Sequence, residues 1–172
     1  MRTLAADSAV ARFSNSFPIP PVNADSHTSL DEFPLGWRFT TVRLGRSPGE
    51  IVRRIIPLSS DAAAGIALAA SRRTPTDDAA AQIIRSDDPP GAVRARLHAL
   101  PVDPASAILL SWNDATAAAA DWAIFVAHWD DFCYPASDDV VVWAPDGDWT
   151  LRYHHYEVFQ FWRHPATERD RA

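Results

Sequence analysis

The sequence contains no lysine, one cysteine, one methionine and only six glycines. All 16 basic residues are arginine and alanine is abundant, which reads as a high-GC coding bias and says little about function. The lone Cys133 excludes an intrachain disulfide and a metal site built from cysteines alone, and it suits a reducing cytoplasm. So few glycines leave little material for phosphate-cradling loops, and neither a nucleophile elbow nor a paired-histidine zinc helix occurs. No apolar run approaches the roughly 20 residues of a membrane helix. Asp7 interrupts the N-terminus before a signal-like stretch develops. The expectation is a cytoplasmic protein, neither secreted nor membrane-inserted, outside several large enzyme classes.

What the chain does have is negative charge in one place. Residues 112–162 carry one arginine against nine acids, whereas the segments on either side are each close to neutral. The core of that region is DWAIFVAHWDDFCYPASDDVVVW, residues 121–143, with three tryptophans and five aspartates and no basic residue apart from His128. Such a face repels nucleic acid and attracts a basic protein.

With 172 residues, 47% of them hydrophobic, the chain is long enough for one domain with its own core. Residues 1–35, with four prolines and no sustained period, read as an extended N-terminal arm that packs, if anywhere, through Phe13, Phe17 and Phe33. A single α+β domain then spans 36–172. Its expected sheet has about four antiparallel strands, at 37–44, 106–112, 139–143 and 149–156, packed against two or three helices near 59–73, 89–99 and 115–129. The signals are a serine cap at 59 or 60, Asp88 as a cap before a first-turn proline, and Trp122, Phe125, Val126 and Trp129 at helical spacing. PDGD at 145–148 has the composition of a hairpin turn. EIVRRIIP fits a short helix or a strand, and EVFQFWRH fits a further strand or a last helical turn.

His128, Asp130, Asp131, Cys133, His154, His155 and Glu157 mix residue types suited to zinc or to acid–base chemistry, without a spacing that defines a site. His154 and His155, if both lie on a strand, point to opposite faces and hardly share one ion. Structural histidines and a core thiol are the favoured reading, with no metal and no cofactor. Asp130/Asp131 and Asp138/Asp139 flank a proline-containing loop but lack the spacing of an EF-hand loop. On a strand through 139–143, Val140 and Val142 share one face while Asp139, Val141 and Trp143 share the other. That strand is either buried on both sides or offers Trp143 to a partner.

The stretch WAIFVAHWDDFCYPASDD, followed by VVVW and then LRYHHYEVF, resembles immunity proteins of bacterial toxin systems over residues 122–159. The resemblance carries no catalytic residues and implies a non-catalytic module that occludes a basic toxin domain. The expected contact surface is an acidic rim of Asp130, Asp131, Asp138, Asp139, Asp146 and Asp148, with Tyr134, Trp143 and Trp149 as aromatic anchors. The protein would be a monomer or weak homodimer with neither nucleic acid nor membrane as partner. Two alternatives remain open: a small hydrolase or metal-dependent enzyme using His128, His154 or His155, and a regulatory or structural subunit of an oligomer.

Overall fold

The computed structural model describes residues 24–40, 49–77 and 80–164. A seven-stranded antiparallel sheet runs through the described chain: β1 Ile56–Pro57, β2 Gln82–Arg85, β3 Ala107–Asn113, β4 Thr116–Asp121, β5 Val140–Trp143, β6 Trp149–His154 and β7 Val158–Arg163. Their order across the sheet is β1-β4-β3-β5-β6-β7-β2. The helices are α1 Gly36–Thr40, α2 Gly49–Val52, α3 Ser60–Arg73, α4 Pro90–His98, α5 Trp122–Ala127 and α6 Trp129–Phe132. The mixed α and β class with an antiparallel sheet is as expected, but the sheet has seven strands where about four were anticipated.

Period-2 alternation divides the core into two layers. Ile108, Leu110, Val140, Val142, Leu151, Tyr153, Phe159 and Phe161 face one side, where they meet aromatic groups from α1, α5 and α6. Leu109, Ala117, Ala119 and Trp143 face the other side and pack against Ala63, Ile66 and Ala70 of α3. Small residues on both surfaces let the helix lie close to the sheet. The α3 helix starts as anticipated, with the Ser59 hydroxyl accepting the Ala62 amide.

Several expectations need correction. Residues 116–121, TAAAAD, were expected to be helical and instead form β4, bonded on one side to β3 and on the other to β1. Asn113 is not a helix cap: its side chain accepts the Ala115 amide within the turn that joins β3 to β4. The α5 helix therefore begins only at Trp122. The anticipated apolar face is nonetheless correct, since Trp122, Phe125, Val126 and Trp129 are all buried. Residues 36–40 wind into α1 where a strand over 37–44 was expected, and residues 41–44 lie outside the described part. Gly36 is required there, because a Cβ would stand 1.8 Å from the Leu30 carbonyl oxygen. Asp88 does not cap α4, which begins after Pro89 without a side-chain cap; Asp88 instead pairs with Arg96. EIVRRIIP divides into the end of α2, a turn and β1, and EVFQFWRH contributes β7. The β2 strand was not anticipated.

Of the lead-in, Phe13 and Phe17 lie outside the described residues. Phe33 is buried against Phe39 and Trp112. Thr28 and Ser59 amides bond to Pro57 and Ser26 carbonyls, which fastens residues 26–28 to β1 and the start of α3.

Candidate functional site

The acidic rim does not assemble as a free surface. Asp138 is 7% exposed and takes both ends of the Arg38 guanidinium, at 2.5 and 3.0 Å, while the Tyr134 amide donates to it at 2.8 Å. Asp131 is also buried, with the His128 ring nitrogen 3.8 Å away. Asp148 is exposed and paired with Arg163 at 2.9 Å. Asp146 is exposed in the 145–148 turn near Arg73, whose charge it helps to hold. Asp130 is half-buried in the first turn of α6. Arginines from outside the acidic segment thus reach back to it, and net charge per segment overstated the field at the surface.

Two expected anchors are core groups. Trp143 is 0% exposed beneath α3, and Trp149 is 4% exposed between Trp122 and Phe161. Both side chains point inward because the alternation of β5 and β6 puts them on covered faces. Cys133 is fully buried, and burial, with Asp138 adding to it, holds its thiol well above the ordinary range. An activated cysteine has its pKa shifted the other way. Burial likewise pushes the Tyr153 phenol up to about 12.

What the fold does bring together is a corner where β5 begins and β6 ends. The β6–β7 connection is a three-residue turn, His155–Glu157, in which the Glu157 amide bonds to the His154 carbonyl. Because His155 has left the strand, its ring is not sent to the opposite face. The two rings stand 4.1 Å apart and both approach Asp139, so the condition for their facing opposite ways, that both lie on a strand, does not hold. The His155 Nδ1 lies 3.1 Å from both Asp139 oxygens, and the His154 Nε2 lies 4.0 Å from one of them. The His155 amide donates to Asp139 as well. Burial opposes ionisation of Asp139, but these bonds and the two histidines outweigh it and leave its pKa below the usual carboxylate value. Tyr156 caps the group, its ring 4.7 Å from His154 and 4.3 Å from His155, and is 76% exposed.

A second aromatic group adjoins through the 134–139 loop. Arg38 lies 4.1 Å over the Tyr134 ring, which meets Trp37 edge-on at 5.6 Å. Trp37 is 55% exposed. The Ala136 amide bonds to the His155 carbonyl and joins this loop to the histidine turn. Ala136 and Glu157, with φ of 61° and 63°, are the two non-glycine residues of positive φ among those described, and they sit in these two adjoining loops. Backbone strain concentrated in this way is characteristic of functional sites.

No family model matches the chain, and neither a curated protein nor a solved structure does. The corner must therefore be read from its own chemistry. Of the expected site residues it gathers Tyr134, Asp138 and Asp139, together with His154 and His155. The sequence reading missed Trp37, Arg38 and Tyr156. Trp37 had been assigned to a strand, and Tyr156 carried no signal beyond following two histidines. A separate recess of about 190 Å³ between α4 and α5 is floored by Trp122 and Val126 and also lined by Arg94 and His98. No carboxylate or nucleophile lines it. No described helix is long and apolar enough to cross a membrane.

Proposed function

We propose that the protein is a non-catalytic binding module of the immunity type, which occludes a basic partner protein through the corner formed by Trp37, Tyr134, Asp139, the two histidines and Tyr156. The observation that carries the proposal is the company kept by the exposed aromatics. Trp37 and Tyr156, at 55% and 76% exposure, flank two loops that hold non-glycine residues at positive φ. Tryptophan and tyrosine anchor interfaces with little entropy to lose, and their faces accept arginine or lysine. Asp139, with 57% of its side chain exposed, supplies a carboxylate for such a cation. The overall charge of −6 favours capture of a basic partner, although most of the acids expected to form the rim are paired or buried within the fold.

The test is protection. A toxic basic domain encoded beside this chain should be tolerated by cells that co-express it, and Trp37→Ala with Tyr156→Ala should abolish tolerance while leaving the thermal transition in place. Full protection by that double variant, or no toxic neighbour to protect against, refutes the proposal.

A further inference from the structure

The arrangement around Asp139 has the form of a metal site. Two imidazoles from adjacent residues converge on one carboxylate, and a donor atom from each of the three side chains lies within 4.8 Å of the other two. Ligands of a tetrahedral zinc ion, each about 2.0–2.2 Å from the metal, stand somewhat more than 3 Å apart. The Asp139–His155 separation of 3.1 Å already meets that spacing, and the His154 Nε2 at 4.0 Å needs only a small side-chain rotation. All three side chains are partly exposed, at 57%, 28% and 36% for Asp139, His154 and His155, so water can complete the shell.

The hydrogen bonds identify where the ion would sit and what it would replace. With the Tyr156 amide donating to His154 Nδ1 at 3.2 Å, the neutral ring carries its proton on Nε2, directed towards Asp139. His155 donates from Nδ1 to the same carboxylate. The His155 N–H thus bonds this carboxylate while the His154 Nε2 stands 4.0 Å from one of its oxygens, and a divalent cation between the three groups would take all of them as ligands. Each ring must then carry its remaining proton on its other nitrogen. For His155 that nitrogen is Nε2; for His154 the move breaks the single exposed bond from the Tyr156 amide. Two imidazoles and one carboxylate suit zinc and the neighbouring late transition metals rather than calcium or magnesium, which prefer all-oxygen shells.

We propose that Asp139, His154 and His155 bind one divalent late transition-metal ion of the zinc class, with solvent in the remaining positions. The site follows from these three side chains alone and stands whether or not a protein docks at the corner.

Titration of the untagged chain with Zn²⁺, followed by calorimetry, should show one equivalent bound. Co²⁺ should give the intense visible absorption of a four-coordinate complex. Both His154→Gln and Asp139→Asn should weaken Zn²⁺ binding at least tenfold while retaining the parent circular dichroism spectrum; His128→Gln, outside this three-residue cluster, should bind as the parent does. Absence of stoichiometric binding overturns the proposal. So does undiminished binding by a folded His154→Gln variant, because the ion would then lie elsewhere. Should Asp139→Asn fail to fold, the His154→Gln result decides.

Discussion

Asp138 and Asp139 are neighbours in the chain and opposites in the structure. Asp138 shares the parity of Val140 and Val142, faces the layer where α1 and α6 pack, and is almost wholly buried with Arg38. Asp139 shares the parity of Val141 and Trp143, but it lies at the strand's end and stays open to solvent beside two histidines. The alternation that separates the valines of β5 therefore also separates two chemically identical groups. One fastens α1 to the sheet, and the other is left to meet something outside.

Removing one member of the buried pair should have the largest effect. Asp138→Ala or Arg38→Ala leaves an unpaired charge in a site less than a tenth exposed, at a cost of about 3–5 kcal/mol. Asp138→Ala also strips the Tyr134 amide of its acceptor. The double change Arg38→Met with Asp138→Leu should recover most of that loss, because charge desolvation goes with the charges. Urea unfolding of the three variants measures this directly. If the double variant is as damaged as the single ones, the pair matters for geometry more than for compensation.

The same pair shows what could be read in advance and what could not. Local rules were reliable where one interaction decides: the Ser59 cap, the compact run of β3, the turn at 145–148 and the buried face containing Trp122 and Trp129. They failed where one residue serves two geometries equally well. The side chain of Asn113 accepts an amide two residues on, in a turn or at a helix start alike, so the alanines after it took the wrong form. Alanine is the best helix former, but propensity is a small term, and bonding to strands on both sides overrides it. Charge counting failed for a different reason. Arg38 is 100 residues from Asp138, and nothing in a linear count pairs them. The histidine corner was hidden by an assumption of continuous strand at His154–His155, where the chain in fact turns.

A smaller effect, of opposite sign, is expected from the loops that hold Asp139 in place. Ala136 and Glu157 occupy the left-handed region that glycine enters without a Cβ penalty. Ala136→Gly and Glu157→Gly each relieve strain of about 1 kcal/mol or more, partly offset by the greater freedom of glycine in the unfolded chain. A net gain of about 0.5 kcal/mol per site should raise the melting temperature by one or two degrees. A fall would mean that neither loop is strained and would remove one support for assigning function to the corner.

The smallest change in stability should come from Asp139 itself, and it should depend on pH. Asp139→Asn weakens the exposed hydrogen bonds from the His155 amide and ring, for which about 0.3 kcal/mol is expected at neutral pH. Because folding lowers the Asp139 pKa, its contribution is fully present above the unfolded value, near 4, and fades as pH falls through the lower folded value. The parent and Asp139→Asn should therefore differ slightly at pH 7 and converge below about pH 4. Parallel stability curves for parent and Asp139→Asn down to pH 3 would mean that the ionised carboxylate does not matter to the folded corner. Its solvent-facing position would then be incidental rather than a place held ready for a cation.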